Sequence, residues 1–90
     1  MKRAHLIIYG GVTGVGYRSW VRSNAIELGL TGFVRNAASG VVEAVFEGGE
    51  ASIEEMIKLC KKGPDVAWVE KVSVKWEDAK GEFLSFEVRF

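Results

Sequence analysis

This 90-residue chain lacks a second cysteine, a second histidine, a second proline and any glutamine. With Cys60 alone, no intramolecular disulfide can form. With His5 as the one histidine, no His/Cys metal cluster can form, and no carboxylate spacing suggests another metal site. Charge of one sign is not in surplus either. Lys+Arg and Asp+Glu are 12 each, so the net charge is zero. That balance argues against a general nucleic-acid binder, which carries a basic face. No apolar run approaches transmembrane length. Met1-Lys2-Arg3 ahead of an apolar stretch is superficially like a secretory signal, but the stretch is short, holds His5 and runs into glycines rather than a cleavage site. A soluble cytoplasmic protein with no membrane partner is the expectation. Asparagine occurs only at 24 and 36. With the absent glutamine, that leans toward a heat-adapted source.

What is present favours a folded globule. The hydrophobic fraction is 48% and the aromatic fraction 11%, well outside the disordered range. The length suits one domain, residues 1–90, able to bury a core of modest size.

The densest local signal is Gly10-Gly11-Val12-Thr13-Gly14-Val15-Gly16-Tyr17-Arg18. It joins an apolar strand-like run to a helix-like run. A glycine-rich turn at a helix start exposes backbone N–H groups that have no partner inside the helix. Those donors and the positive end of the helix dipole suit an anion. Arg18 adds a permanently charged fork matched to phosphate. The segment reads as a phosphate cradle with a guanidinium clamp.

Residues 3–9 form a near-continuous apolar run, which suits a central strand buried on both faces, or nearly so. A helix follows over about 17–28, with Val21, Ala25 and Leu28 on one face and Gly29 as its stop. Residues 31–35 and 41–47 read as strands around a turn at 36–40. In the second of them Val42, Ala44 and Phe46 alternate with Glu43, Val45 and Glu47. A second helix spans about 51–62, with Ile53, Met56, Ile57 and Cys60 at helical spacing. Ser52 and Glu55 suit a capping box, and Gly63-Pro64 ends the helix. Residues 69–77 and a short run carrying Phe86, Val88 and Phe90 complete the strands. The order β-α-β-β-α-β plus a terminal strand predicts an α+β, ferredoxin-like split β-α-β sandwich. Both helices then lie on one face of a mostly antiparallel sheet.

The pattern Gly-x-Val-x-Gly-Val-Gly-aromatic-Arg, then Gly32-Phe33-Val34-Arg35-Asn36, then Gly40-x-Val42-Glu43, resembles the acylphosphatase family. Gly63-Pro64, Val69, Val72 and the closing Phe86-Glu87-Val88-Arg89 match it too, so the resemblance covers essentially the whole chain. It implies a metal-free, cofactor-free hydrolase of acyl phosphates that releases a carboxylate and inorganic phosphate. By position, Arg18 is the phosphate-binding arginine and Asn36 the water-orienting asparagine. Backbone N–H groups of Gly14, Val15, Gly16, Tyr17 and Arg18 would hold the phosphoryl oxygens. The chain departs from the family at Thr13, where glutamine is usual.

Plainer readings apply elsewhere. Arg22 and Arg35 read as surface or ion-pair charges, His5 as a half-exposed structural residue, and Cys60 as core. Trp20, Trp68 and Trp76 read as packing residues. Glu50, Glu54 and Glu55 read as a solvated helix start. Two rival functions stand. One is a non-catalytic anion-binding module of the same fold, such as opens larger carbamoyl-transfer maturation proteins. This chain is expected to have no such catalytic partner attached. The other is a ferredoxin-like RNA binder, whose paired strand aromatics are missing here. A monomer acting on a small-molecule acyl phosphate, with no nucleic-acid partner, is the expectation.

Overall fold

Alternation along the strands decides which side of the sheet becomes the core. In the computed structural model, which describes all 90 residues, β1 (Lys2–Gly11) buries Ala4, Leu6 and Ile8 completely. His5, Ile7 and Tyr9 lie on the opposite face and are half-buried. Of the expected strand, buried on both faces or nearly so, the second form is the one found: full burial on one face and half-burial on the other. Helices cover only one face, and the apolar Ile7 and Tyr9 stay partly solvated on the other.

The remaining elements are α1 (Tyr17–Glu27), β2 (Thr31–Asn36), β3 (Val42–Gly48), α2 (Glu50–Lys62), β4 (Trp68–Asp78) and β5 (Phe86–Arg89). A single 3-10 turn, Ala38–Gly40, links β2 to β3. The sheet order is β4-β1-β3-β2-β5. All pairings are antiparallel except β2 with β5. This is the expected split β-α-β architecture.

One core cluster joins the strand residues Leu6, Val34, Val42, Phe46 and Phe86 to the helix residues Tyr17, Val21, Ile53, Met56 and Cys60. Each large apolar side chain taken fully out of water stabilises the fold by about 1.5–3 kcal/mol. Gly32 lies between Phe46 on β3 and Phe86 on β5 in the register. Its missing side chain lets those two rings stack at 5.3 Å across the strand.

α2 carries no capping box. Its N-cap is Gly49, with no side-chain cap, so Ser52 already lies inside the helix. Its far end is closed in another way. Leu59 O accepts from Gly63 N at 2.8 Å. The carbonyl of Cys60 would next need the N–H of residue 64, but Pro64 has none. Tyr17 Oη donates to that carbonyl at 2.9 Å instead. Burial pushes the Tyr17 phenol well above its ordinary range, and pushes the Cys60 thiol up to about 12. Both therefore stay neutral.

β4 and β5 lie on opposite edges, so the chain between them must cross the sheet. It crosses the helix-free face at the end where β1 begins. There Lys80 N and Gly81 N donate to the Glu47 carboxylate at 3.0 and 3.1 Å. Arg3 bridges Glu47 and Glu82 at 2.7 Å each, and Phe83 packs on Phe33 at 5.9 Å. The three tryptophans read as packing residues differ in how far they pack. Trp68 is 63% and Trp76 42% exposed on the edge strand β4, and only Trp20 packs against the core. No helix is long and apolar enough to cross a membrane.

Candidate active site

The end of the sheet away from the crossing segment gathers one end of each of the five strands. β1 leaves there through Gly11, β3 enters at Val42, and β2 ends at Asn36. Ile8, Val42 and Asn36 form one row across β1, β3 and β2. Asn36 is two residues beyond the buried Val34, so its side chain starts on the helix face. It is exposed, and its carboxamide makes no hydrogen bond within the chain. The turn after it is held by Ala37 N donating to Val41 O at 2.8 Å. Ser39 takes a left-handed φ of 64° inside that turn.

The glycine turn between β1 and α1 has the conformation that an anion cradle needs. Gly14 has φ 72° and Gly16 φ 78°. A Cβ at either position would meet nothing within 4 Å. Glycine is required there for backbone angle and not for space. Left-handed residues in such a turn let successive N–H groups face one anion. None of the N–H groups of residues 14–19 has a protein acceptor. Gly16 is the N-cap of α1 and supplies no side-chain cap, so the helix start stays open. Val12, 1% exposed, and Val15, packed on the core cluster, pin the turn from beneath. The phenol of Tyr17 points away into the core, so only its main chain belongs to the cradle.

Arg18 follows on the first turn of α1. Its Nη1 donates to the main-chain carbonyl of Arg89 at 3.2 Å, and its guanidinium lies 4.8 Å from the Phe90 ring. No carboxylate pairs with it. Arg89 is the register partner of Arg35, which precedes Asn36. Arg18 and Asn36 therefore share one corner of the molecule. The sequence pattern does not reveal β5 as the support of Arg18. The two residues are 71 apart in the chain, and nothing local signals the contact.

Neighbouring charges are already matched. Arg35 pairs with Glu43, whose other carboxylate oxygen is 2.6 Å from His5 Nε2. Burial raises the Glu43 carboxyl, but Arg35 and His5 outweigh it and hold it below the usual value. Arg35 and His5 thus have the structural roles expected of them. The site is a surface turn and not a cavity. The largest cavity, about 460 Å³ and lined by Lys2, Glu50, Trp76, Glu77 and Asp78, lies at the other end of the sheet. No three His, Cys, Asp or Glu side chains gather where they could hold a metal ion.

A family model described as Acylphosphatase matches residues 4–88. An acylphosphatase of Pelotomaculum thermopropionicum is 44% identical over 88 residues, which cover 98% of this chain and 96% of that protein. The crystal structure of acylphosphatase from Bacillus subtilis superposes with a TM-score of 0.95 at 29% identity, covering 100% of both chains. HypF of T. kodakarensis superposes with a TM-score of 0.84 at 34% identity, covering 99% of this chain and 12% of that longer one.

Proposed function

We propose how this chain, which belongs to the acylphosphatase family and hydrolyses acyl phosphates, performs that reaction. The observation that carries the proposal is the corner where an unpaired arginine, a row of unpartnered N–H groups and an unpartnered carboxamide meet. The N–H groups of Gly14 through Arg18 hold the phosphoryl oxygens, with the α1 dipole behind them. The Arg18 guanidinium neutralises charge on the same oxygens and stabilises it further as the bond breaks. Asn36 offers one acceptor and two donor hydrogens, so it can hold a water against the phosphorus.

The chemistry demands little else. Water oxygen bonds to phosphorus while the phosphorus–oxygen bond to the acyl group breaks. The carboxylate departs as a stable anion, so it needs no proton from a general acid. The protons of the water end on the released phosphate. Asn36 is no base, and its contribution is position. Thr13, where the family usually has glutamine, is exposed ahead of Gly14, and its hydroxyl makes no hydrogen bond to Arg18 or Asn36. The reading therefore expects activity to survive that departure.

We read the protein as one domain over 1–90 that acts as a monomer. One core cluster spans Ala4 to Phe86. Both sheet edges carry devices against pairing: β5 has only 4 residues, and β4 has a register shift plus Lys71 and Lys75.

The deciding experiment is hydrolysis of benzoyl phosphate with and without a chelator, with Arg18→Ala run beside the parent. Fast turnover that survives the chelator and is lost in the variant is expected. Chelator-sensitive turnover would overturn the metal-free scheme. Phosphate binding without turnover would make the chain an anion-binding module.

A further inference from the structure

We propose that Arg89 is a positioning residue for acyl-phosphate hydrolysis: its guanidinium, lodged against Phe33 and Phe83 on the helix-free face, fixes the main-chain carbonyl that aims Arg18. The proposal rests on the reading of Arg18 as the phosphate clamp.

Arg18 is a long side chain with no carboxylate to hold it. Its one hydrogen bond within the protein runs from Nη1 to the Arg89 carbonyl, at 3.2 Å. The Phe90 ring lies 4.8 Å from the same guanidinium, but Phe90 is fully exposed and so is itself unrestrained. The aim of Arg18 therefore depends on how firmly β5 holds that carbonyl. β5 has 4 residues and lies on the sheet edge, paired only with β2. Arg89 is its last residue. A short strand end bonded on one side frays unless its side chains hold it.

Here a side chain holds it from the far face. Phe86 is buried and Val88 packs on the core, so Glu87 and Arg89 start on the helix-free face. There Arg89 Cζ lies 4.1 Å from the ring centroid of Phe33 and 5.9 Å from that of Phe83. The two rings are 5.9 Å apart and tilted by 57°, so they form a corner. Arg89 pairs with Arg35 and Glu87 with Phe33 in the register, which makes the Arg89–Phe33 contact the diagonal one between the two strands. Glu87 adds only a 3.4 Å contact between half-exposed side chains, which contributes little. Phe83 belongs to the crossing segment, whose Glu82 is held by Arg3 at 2.7 Å. A planar cation against two fixed rings is thus what ties down the end of β5. Because the Arg89 side chain starts on the face opposite α1, it acts on the site through its own carbonyl. Lys71 makes a built-in control. Its Nζ lies 4.8 Å from the Tyr9 ring, but on the opposite edge strand β4, away from Arg18.

The test measures kcat and KM for benzoyl phosphate, inhibition by inorganic phosphate, and melting temperature. The variants are Arg89→Ala, Phe33→Leu, Lys71→Ala, Arg18→Ala and the double variant Arg18→Ala/Arg89→Ala. Loss of the stack should lower kcat/KM by about three- to tenfold in Arg89→Ala and weaken phosphate inhibition alongside. Phe33→Leu keeps apolar bulk and removes the ring face, so it should show the same fall. Lys71→Ala should match the parent. In the double variant, Arg89→Ala should add less than about twofold to the loss from Arg18→Ala, because no arginine is left to aim. A fall of the same size in both backgrounds would mark a merely structural effect and overturn the role of Arg89. Parent kinetics in Arg89→Ala would overturn it as well. If Arg89→Ala does not fold, Phe33→Leu carries the same cycle with the same two outcomes. Parent activity in Arg18→Ala would instead overturn the site and this inference together.

Discussion

Arg3 and Arg18 occupy opposite ends of the same sheet and have opposite fates. Arg3 is 9% exposed, and its fork grips two carboxylates at 2.7 Å each. Its ring neighbour Phe83 is 5.3 Å away. Burial works against the Arg3 charge, but Glu47 and Glu82 outweigh it and raise its pKa further. Arg18 has one 3.2 Å bond to a main-chain carbonyl and an aromatic face, and no anion at all. A guanidinium has five donor hydrogens. At one end they are occupied by the protein's own carboxylates, where they fasten the β4–β5 crossing. At the other end they are left for a ligand. The unmatched charge, and not the number of arginines, is what the proposed site rests on.

The comparison breaks most sharply at Arg18. Arg18→Ala should lower kcat/KM for benzoyl phosphate by about 10³-fold, the upper range for removing one transition-state donor. Its melting temperature should match the parent, because no internal ion pair is lost. A variant with parent activity would remove Arg18 from the site. Glu47→Ala should do the reverse. It strands Arg3 and two main-chain N–H groups, costing about 3 kcal/mol, the low end for a broken buried pair because Glu82 remains. Urea unfolding measures this. A loss below about 1 kcal/mol would show that the cluster behaves as a surface pair. Asn36→Ala should lower kcat by about 10²-fold with phosphate inhibition unchanged, since position alone is lost. A weakened phosphate affinity would mean that Asn36 binds phosphate and does not only orient water.

A smaller effect separates the two ends by pH. Burial raises the Glu47 carboxyl, but the N–H groups of Lys80 and Gly81, together with Arg3, outweigh it and leave it below its ordinary value. Glu43 is depressed for similar reasons. A carboxyl depressed on folding adds stability above its unfolded pKa, near 4.5 here, and loses it as pH falls through the folded value. Unfolding free energy should therefore drop below about pH 4.5. In Glu47→Gln the drop should be shallower. An equal slope in parent and variant would remove Glu47 from the linkage.

Much of this was legible in the sequence because it is local. Alternation at Val42, Ala44 and Phe46, the helical stripe of α2 and the glycine stops give the element order. The cradle and Asn36 lie in short motifs. The misses come from pairings distant in the chain. β1 reads as buried on both faces, or nearly so, because Ile7 and Tyr9 are apolar, and only the layout shows that no helix covers them. Trp68 and Trp76 read as packing residues by type, yet fall on an edge strand and stay exposed. Ser52 and Glu55 have capping-box spacing, but the helix starts two residues before Ser52, at Glu50. The hold of β5 on Arg18 crosses nearly the whole chain.

The last and smallest effect concerns the joint between α1 and α2 at the Arg18 end. Tyr17 is the first residue of α1, its N–H is one of the proposed cradle donors, and its phenol answers the carbonyl that Pro64 cannot. Tyr17→Phe keeps the ring in the core and removes only that donor. The Cys60 carbonyl is then buried without a partner, which costs about 1–2 kcal/mol. Main-chain N–H groups alone belong to the cradle at this position, so phosphate inhibition should change less than twofold, within about 0.4 kcal/mol. Thermal melting and phosphate titration of the one variant separate the two outcomes. A large fall in phosphate affinity with little change in stability would mean that the Tyr17 hydroxyl, and not only its backbone, shapes the cradle. Its bond to α2 would then set the angle at which the helix start meets the phosphate.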